Sequence, residues 1–154
     1  MNAIAPTRPT ELQGCRTRLA AGPCAAAEAR RQVRAAVCAW DIPVDPDVAV
    51  LLTSELVTNA VRHEVSGMIT LAVTCSRDQL RVDVYDTSRS LPVVVEAAVD
   101  AETGRGLMLV ATLSAEWGFY RTPAGKAVYF TLAFQPDLGE SGEGGPQGVQ
   151  MWGL

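Results

Sequence analysis

Apolar positions along the chain switch between two periods. Ala26, Ala29, Val33, Ala36, Val37 and Trp40 recur at helical spacing, which predicts an amphipathic helix over about 24–40. Gly22-Pro23 introduces it, the proline well placed to open a helix, and Asp41-Ile42-Pro43 ends it. Asp45 followed by Pro46 is a good N-cap and first-turn pair, so a second helix is predicted over about 46–63. Period two then takes over. Ile69, Leu71, Val73 and Cys75 alternate with Thr70, Ala72 and Thr74, and after a turn at Ser76-Arg77-Asp78-Gln79 the residues Leu80, Val82 and Val84 alternate with Arg81, Asp83 and Tyr85. These two strands should pair antiparallel, and the same parity turns Asp86 inward with the apolar set. Leu12 to Ala20 reads as an edge strand, Leu107 to Leu113 as a buried helix, and Trp117–Arg121 with Lys126–Phe134 as a hairpin around Thr122-Pro123-Ala124-Gly125.

The remaining segments lack a sustained pattern. Thr87 to Thr103 reads as a loop closed by Gly104-Arg105-Gly106, and a loop of that length in a compact domain is usually functional, a lid for example. The predicted organisation is a flexible N-terminal lead-in with an edge strand (1–22), one domain (23–135) and a disordered glycine-rich tail (136–154). No internal repeat is present.

Within the second helix, Glu55, Asn59 and His63 stand four residues apart. Each step of four advances about 40° past a full turn, so the three share a face with Val48 and Leu52, opposite Val50, Val57 and Val61. The row should be half-buried. Burying a carboxylate and an amide is costly unless something binds them, and a metal or a nucleotide phosphate is one such partner.

At 154 residues and 48% hydrophobic content the chain fits one domain with a sizeable core. No apolar run approaches the ~20 residues of a membrane span and the N-terminus lacks a signal pattern, so a cytoplasmic protein is expected. A formal charge of −4 argues against nucleic acid as the main partner. Arg30, Arg31 and Arg34 form a local basic patch, read as a solvated helix face, with a protein-docking surface as the alternative. The four cysteines (Cys15, Cys24, Cys38, Cys75) contain no C-x-x-C pair and His63 is the only histidine, which argues against zinc. They are read as reduced thiols, with Cys75 and Cys38 at core positions.

Taken singly, each candidate has a plain structural alternative. Asp86 is either an inward functional carboxylate or a strand-end residue making a local backbone bond. Gly104-Arg105-Gly106 is either a simple helix start or a phosphate-binding one, where backbone N–H groups and the positive helix end face an anion and Arg105 adds a charge. Their order is more telling: a helix with Glu and Asn, a hairpin ending in an inward Asp, a long loop, a Gly-x-Gly helix start, and a last hairpin with Gly125. In this order the chain resembles the histidine-kinase-like ATPase (GHKL) superfamily, whose nucleotide site is the Bergerat fold, over about residues 24–134. Glu55 to Asn59 resembles its N box, Asp86 its first glycine box, and Gly104-Arg105-Gly106-Leu107 its second. Glu-Leu-Val-Thr-Asn-Ala-Val-Arg-His and Gly-Arg-Gly-Leu are most like the anti-sigma-factor serine kinases and related stand-alone ATP-binding proteins of actinomycete type.

The resemblance implies an α/β (α+β) two-layer sandwich, with a mixed, mostly antiparallel sheet and helices on one face. It implies ATP and Mg2+ as ligands, with Asn59 as the magnesium ligand, Asp86 as acceptor from the adenine amino group, Gly104, Arg105, Gly106 and Leu107 at the phosphates, and Glu55 as general base. It further implies a serine/threonine protein kinase acting on an anti-anti-sigma (STAS) partner, with a sigma factor as second partner. A sheet face without helices suggests a homodimer. The alternative is a non-catalytic nucleotide-binding module that acts by sequestering a regulator, and a third reading is an α/β protein without a nucleotide site. Two positions depart from the pattern. The residue two after Asp86 is Ser88 rather than glycine, and Lys126 follows the glycine of the last hairpin where threonine is usual. Lys126 is expected in solvent, with a phosphate contact as its alternative. His63 is expected to be a satisfied helix-end histidine, and the short lid implies modest or partner-dependent ATP affinity.

Overall fold

The structure, a computed structural model, describes residues 13–64, 67–88 and 102–136, with the side chains of 102–106 left aside. The element order is β1 (Gln13–Ala20), α1 (Ala25–Ala39), α2 (Pro46–His63), β2 (Met68–Cys75), β3 (Gln79–Asp86), α3 (Glu102–Leu113), β4 (Glu116–Arg121) and β5 (Lys126–Ala133). Five strands form one sheet in the order β1-β2-β3-β5-β4. Every pairing among the described strands is antiparallel, so the mixed sheet expected from the sequence is an antiparallel one. The expected lead-in over residues 1–10, most of the long loop and the tail beyond 136 lie outside the described residues.

Period-two patterning decides which face meets the helices. Ile69, Leu71, Val73 and Cys75 on β2, Leu80, Val82 and Val84 on β3, and Val128, Phe130 and Leu132 on β5 join one buried cluster. Ala29, Val33 and Val37 of α1, Leu52, Leu56 and Val57 of α2, and Leu107 and Val110 of α3 belong to it as well. At roughly 25 cal/mol per Å² of apolar surface this layer is the main source of stability. Asp45 caps α2 by accepting the Asp47 N–H at 2.9 Å, as its sequence foretold. Arg30 donates to Ser54 Oγ at 3.1 Å and Arg34 pairs with Asp47 at 3.1 Å, so exposed arginines of α1 reach across to α2.

Three expectations need correction. Cys38 is exposed, because it stands off the Val33-Val37 stripe by which α1 packs. The third helix begins at Glu102, so Gly104 and Gly106 lie inside it; each costs about 1 kcal/mol relative to alanine, which packing can offset. This helix is also less buried than its run of apolar residues suggested. Leu107 and Val110 are buried, but Met108 is 50% exposed and Leu113 40%.

The face of the sheet away from the helices covers itself. Small or buried residues, Ala72, Asp83, Ala127 and Thr131, lie beneath the chain's three tyrosines and Arg81. Arg81 grips Asp83 with two bonds at 2.9 and 3.0 Å and stacks over the Tyr129 ring. Tyr120 donates to Asp83 at 2.9 Å and meets the Tyr85 hydroxyl at 3.2 Å. Burial, the Asp83 carboxylate and the bond to Tyr85 push the Tyr120 hydroxyl well above the ordinary tyrosine value. A raised value means that the fold favours the protonated form, so stability is full below pH ~10 and falls as pH rises above it, where only the unfolded chain ionises. The expected slope is at most about 1 kcal/mol per pH unit once the ring's partial exposure is allowed for. Urea midpoints measured across pH 9–11 should show this loss in the wild type and a smaller one in Tyr120→Phe.

Candidate functional site

The polar row of α2 stands over the ends of β3 and β5. Glu55 and His63 are half-buried, and Asn59 is only 5% exposed. Much of the rest of α2 is apolar because it is packed on two sides, by α1 and by the sheet. Valines 50 and 57 and Leu52 are therefore buried on opposite sides of the same helix.

Among the described residues two atoms of this row are buried without a hydrogen-bond partner: Asn59 Oδ1 and His63 Nδ1. Orphaned buried acceptors are uncommon in folded proteins and each calls for an explanation. His63 is therefore not the satisfied helix-end residue expected. Burial and the nearby Lys126 ammonium hold its imidazole below the ordinary value near 6.5, against an opposing pull from Asp86. A neutral ring leaves Nδ1 or Nε2 as an acceptor.

Asp86 ends β3 on the inward face, as parity required, and its register partner on β5 is Lys126. Lys126 is not in solvent. Its side chain is 1% exposed and that of Asp86 is fully buried, with Nζ 2.8 Å from one carboxylate oxygen and 3.0 Å from the other. The Ser88 N–H adds a third bond to Asp86, at 2.8 Å, which is the local backbone bond of a strand-end aspartate. Lys126 has the same parity as Val128, Phe130 and Leu132, so the strand that carries it inward gives it no route to water.

Two further contacts fix this corner. Glu64, just past the end of α2, accepts from the Thr87 N–H at 2.9 Å and its hydroxyl at 2.7 Å. The β4–β5 turn lies against the β3 end so closely that a Cβ on Gly125 would stand 2.2 Å from the Asp86 carbonyl oxygen. Only glycine fits there. Neither Glu64 nor the inward role of Lys126 was singled out from the sequence; for Lys126 the strand parity was the available signal.

Gly104, Arg105, Gly106 and Leu107 belong to α3. A helix that starts at Glu102 leaves its first N–H groups, through Arg105, without intrahelical partners, which is the donor array an anion uses. Leu107 is buried in the core and anchors that end of the helix. Among the described residues no cluster of three His, Cys, Asp or Glu side chains could hold a metal. The lone Asn59 oxygen fits a hard cation that takes few protein ligands and completes its shell with water and phosphate oxygens. A cavity of about 590 Å³ lies at the other end of the sheet among Trp40, Ile42, Cys75 and Phe134, and none of the candidate residues lines it.

This arrangement, with an Asn–Glu helix laid over an antiparallel sheet, agrees with what sequence comparison finds. The family of the histidine kinase-like ATPase domain matches residues 19–132, and the chain belongs to that family. Comparison with curated proteins gives no match. ATP binding in a regulatory setting is the function this family supports. None of the helices among the described residues is long and apolar enough to cross a membrane.

Proposed function

We propose that this chain is a cytoplasmic, magnesium-dependent serine/threonine protein kinase of the anti-sigma-factor type. Its substrate would be a serine or threonine on an anti-anti-sigma (STAS) domain, and its second partner a sigma factor held when that antagonist is phosphorylated. The observation that carries the reading is Asn59 Oδ1, buried and without a partner one helical turn from the half-buried Glu55. Asn59 would hold Mg2+, which neutralises charge on the ATP phosphates when bound. The α3 N-terminus, with Gly104, Arg105 and Gly106, would face those phosphates. Glu55 would take the proton of the attacking hydroxyl, the role a positioned carboxylate fills in phosphoryl transfer. Pairing of two copies of the chain belongs to the same proposal.

One observation favours the alternative of a sequestering module: the Asp86 carboxylate is already held by Lys126. Incubation with γ-labelled ATP and a captured partner separates the two. Label on the partner supports the kinase, and stable partner binding without label supports sequestration.

A further inference from the structure

The two ends of the candidate site are in opposite states. At the cation end Asn59 Oδ1 is buried with no partner. At the inner end the Asp86 carboxylate is nearly saturated. A carboxylate offers about four acceptor positions, and Lys126 takes two while the Ser88 N–H takes a third. The pair is closed to solvent and fixed from both sides. Asp86 and Lys126 face each other in the β3–β5 register, and the Gly125 turn sits on the Asp86 backbone.

A free carboxylate in such a position selects a ligand by charge pattern. Facing the 6-position of a purine, it accepts from an amino group there and repels a carbonyl oxygen, so in that orientation it favours a 6-aminopurine over a 6-oxopurine. Once an ammonium is bound to both oxygens that preference is lost. An amino group is also a poor competitor for the ammonium, because charge-assisted bonds are roughly twice as strong as neutral ones. Separating the two buried charges would be costlier still.

Resting on the nucleotide-site reading above, we propose that Lys126 removes base selectivity from this site. It neutralises Asp86, so nucleoside triphosphates are held through their magnesium-phosphate end, ATP and GTP alike. Lys126 is thus the specificity-determining residue, and its effect is to broaden rather than narrow the ligand class.

The test is calorimetric titration of the full chain with Mg-ATP and with Mg-GTP. The wild type should bind both, with dissociation constants within about tenfold of each other. In Lys126→Met the carboxylate is released and ATP should be favoured over GTP by more than about tenfold, the worth of one hydrogen bond to a charged group. Lys126→Gln, whose neutral amide still donates to Asp86, is the second variant should the first not fold, and it should shift the ratio the same way. A wild-type preference for ATP beyond tenfold overturns the proposal and leaves the nucleotide reading standing. An unchanged ratio in a folded variant overturns the assignment to Lys126. A wild type that binds neither nucleotide removes the nucleotide reading and this proposal with it.

Discussion

Lys126→Met is expected to destabilise the fold by about 3–5 kcal/mol, the usual cost of leaving one partner of a buried ion pair without the other. The side chains concerned are 1% and 0% exposed, so water cannot take the place of the ammonium. The methionine keeps the stem and removes the charge, which confines the loss to electrostatics and hydrogen bonding. Against a total stability of about 5–15 kcal/mol for a domain, the variant should remain folded but lose much of its margin. The companion test is Asp86→Leu/Lys126→Met. Replacing both charges by apolar groups removes the unpaired ion, and such replacements are often neutral or stabilising. Urea denaturation should therefore show the double variant recovering most of the loss. A single-variant loss below about 1 kcal/mol would mean that the pair is far more solvated than its burial indicates.

Glu55→Ala should leave stability and nucleotide binding nearly unchanged while lowering phosphate transfer to the partner by about 10²–10⁴-fold, the range for a positioned general base. Among the described residues Glu55 makes no hydrogen bond or ion pair, so its removal breaks nothing structural. Single-turnover transfer from labelled ATP reads the effect. Under the sequestering alternative the same variant binds its partner as before and there is no transfer to lose.

Much of the fold was legible because period and punctuation agreed. Asp45-Pro46 set the start of α2, and strict alternation placed Leu80, Val82, Val84 and Asp86 on one face. Where sequence reasoning failed, tertiary context had decided. Lysine is normally a surface residue, and that prior outweighed the parity that sets Lys126 beside Val128 and Phe130. The partner that makes its burial tolerable lies forty positions earlier, on another strand. The apolar run of α3 suggested full burial, but α3 is covered on one side only, a property of packing that no local pattern encodes. Asp83 shows the same limit. Alternation put it on the outward face, yet it is buried there, because Arg81 of its own strand grips it and Tyr120 and Tyr129 of the neighbouring strands close around it.

The site was half legible for a related reason. The four-residue spacing of Glu55, Asn59 and His63 is local and survives folding unchanged. Which of these would be left without a partner depends on what the sheet brings beneath α2. Asn59 Oδ1 and His63 Nδ1 emerge as the orphaned atoms, and Asp86 as one already engaged. The expected roles therefore shift in weight from the Asp86 end toward the Asn59 end.

The most direct measurement is a calorimetric titration of ATP into the wild type and Asn59→Ala, each with and without Mg2+. The account predicts binding to the wild type that strengthens with Mg2+, and a loss of about tenfold or more in Asn59→Ala, confined to the magnesium-containing titration. Equal binding by the two proteins in the presence of Mg2+, or no binding by the wild type, would contradict it.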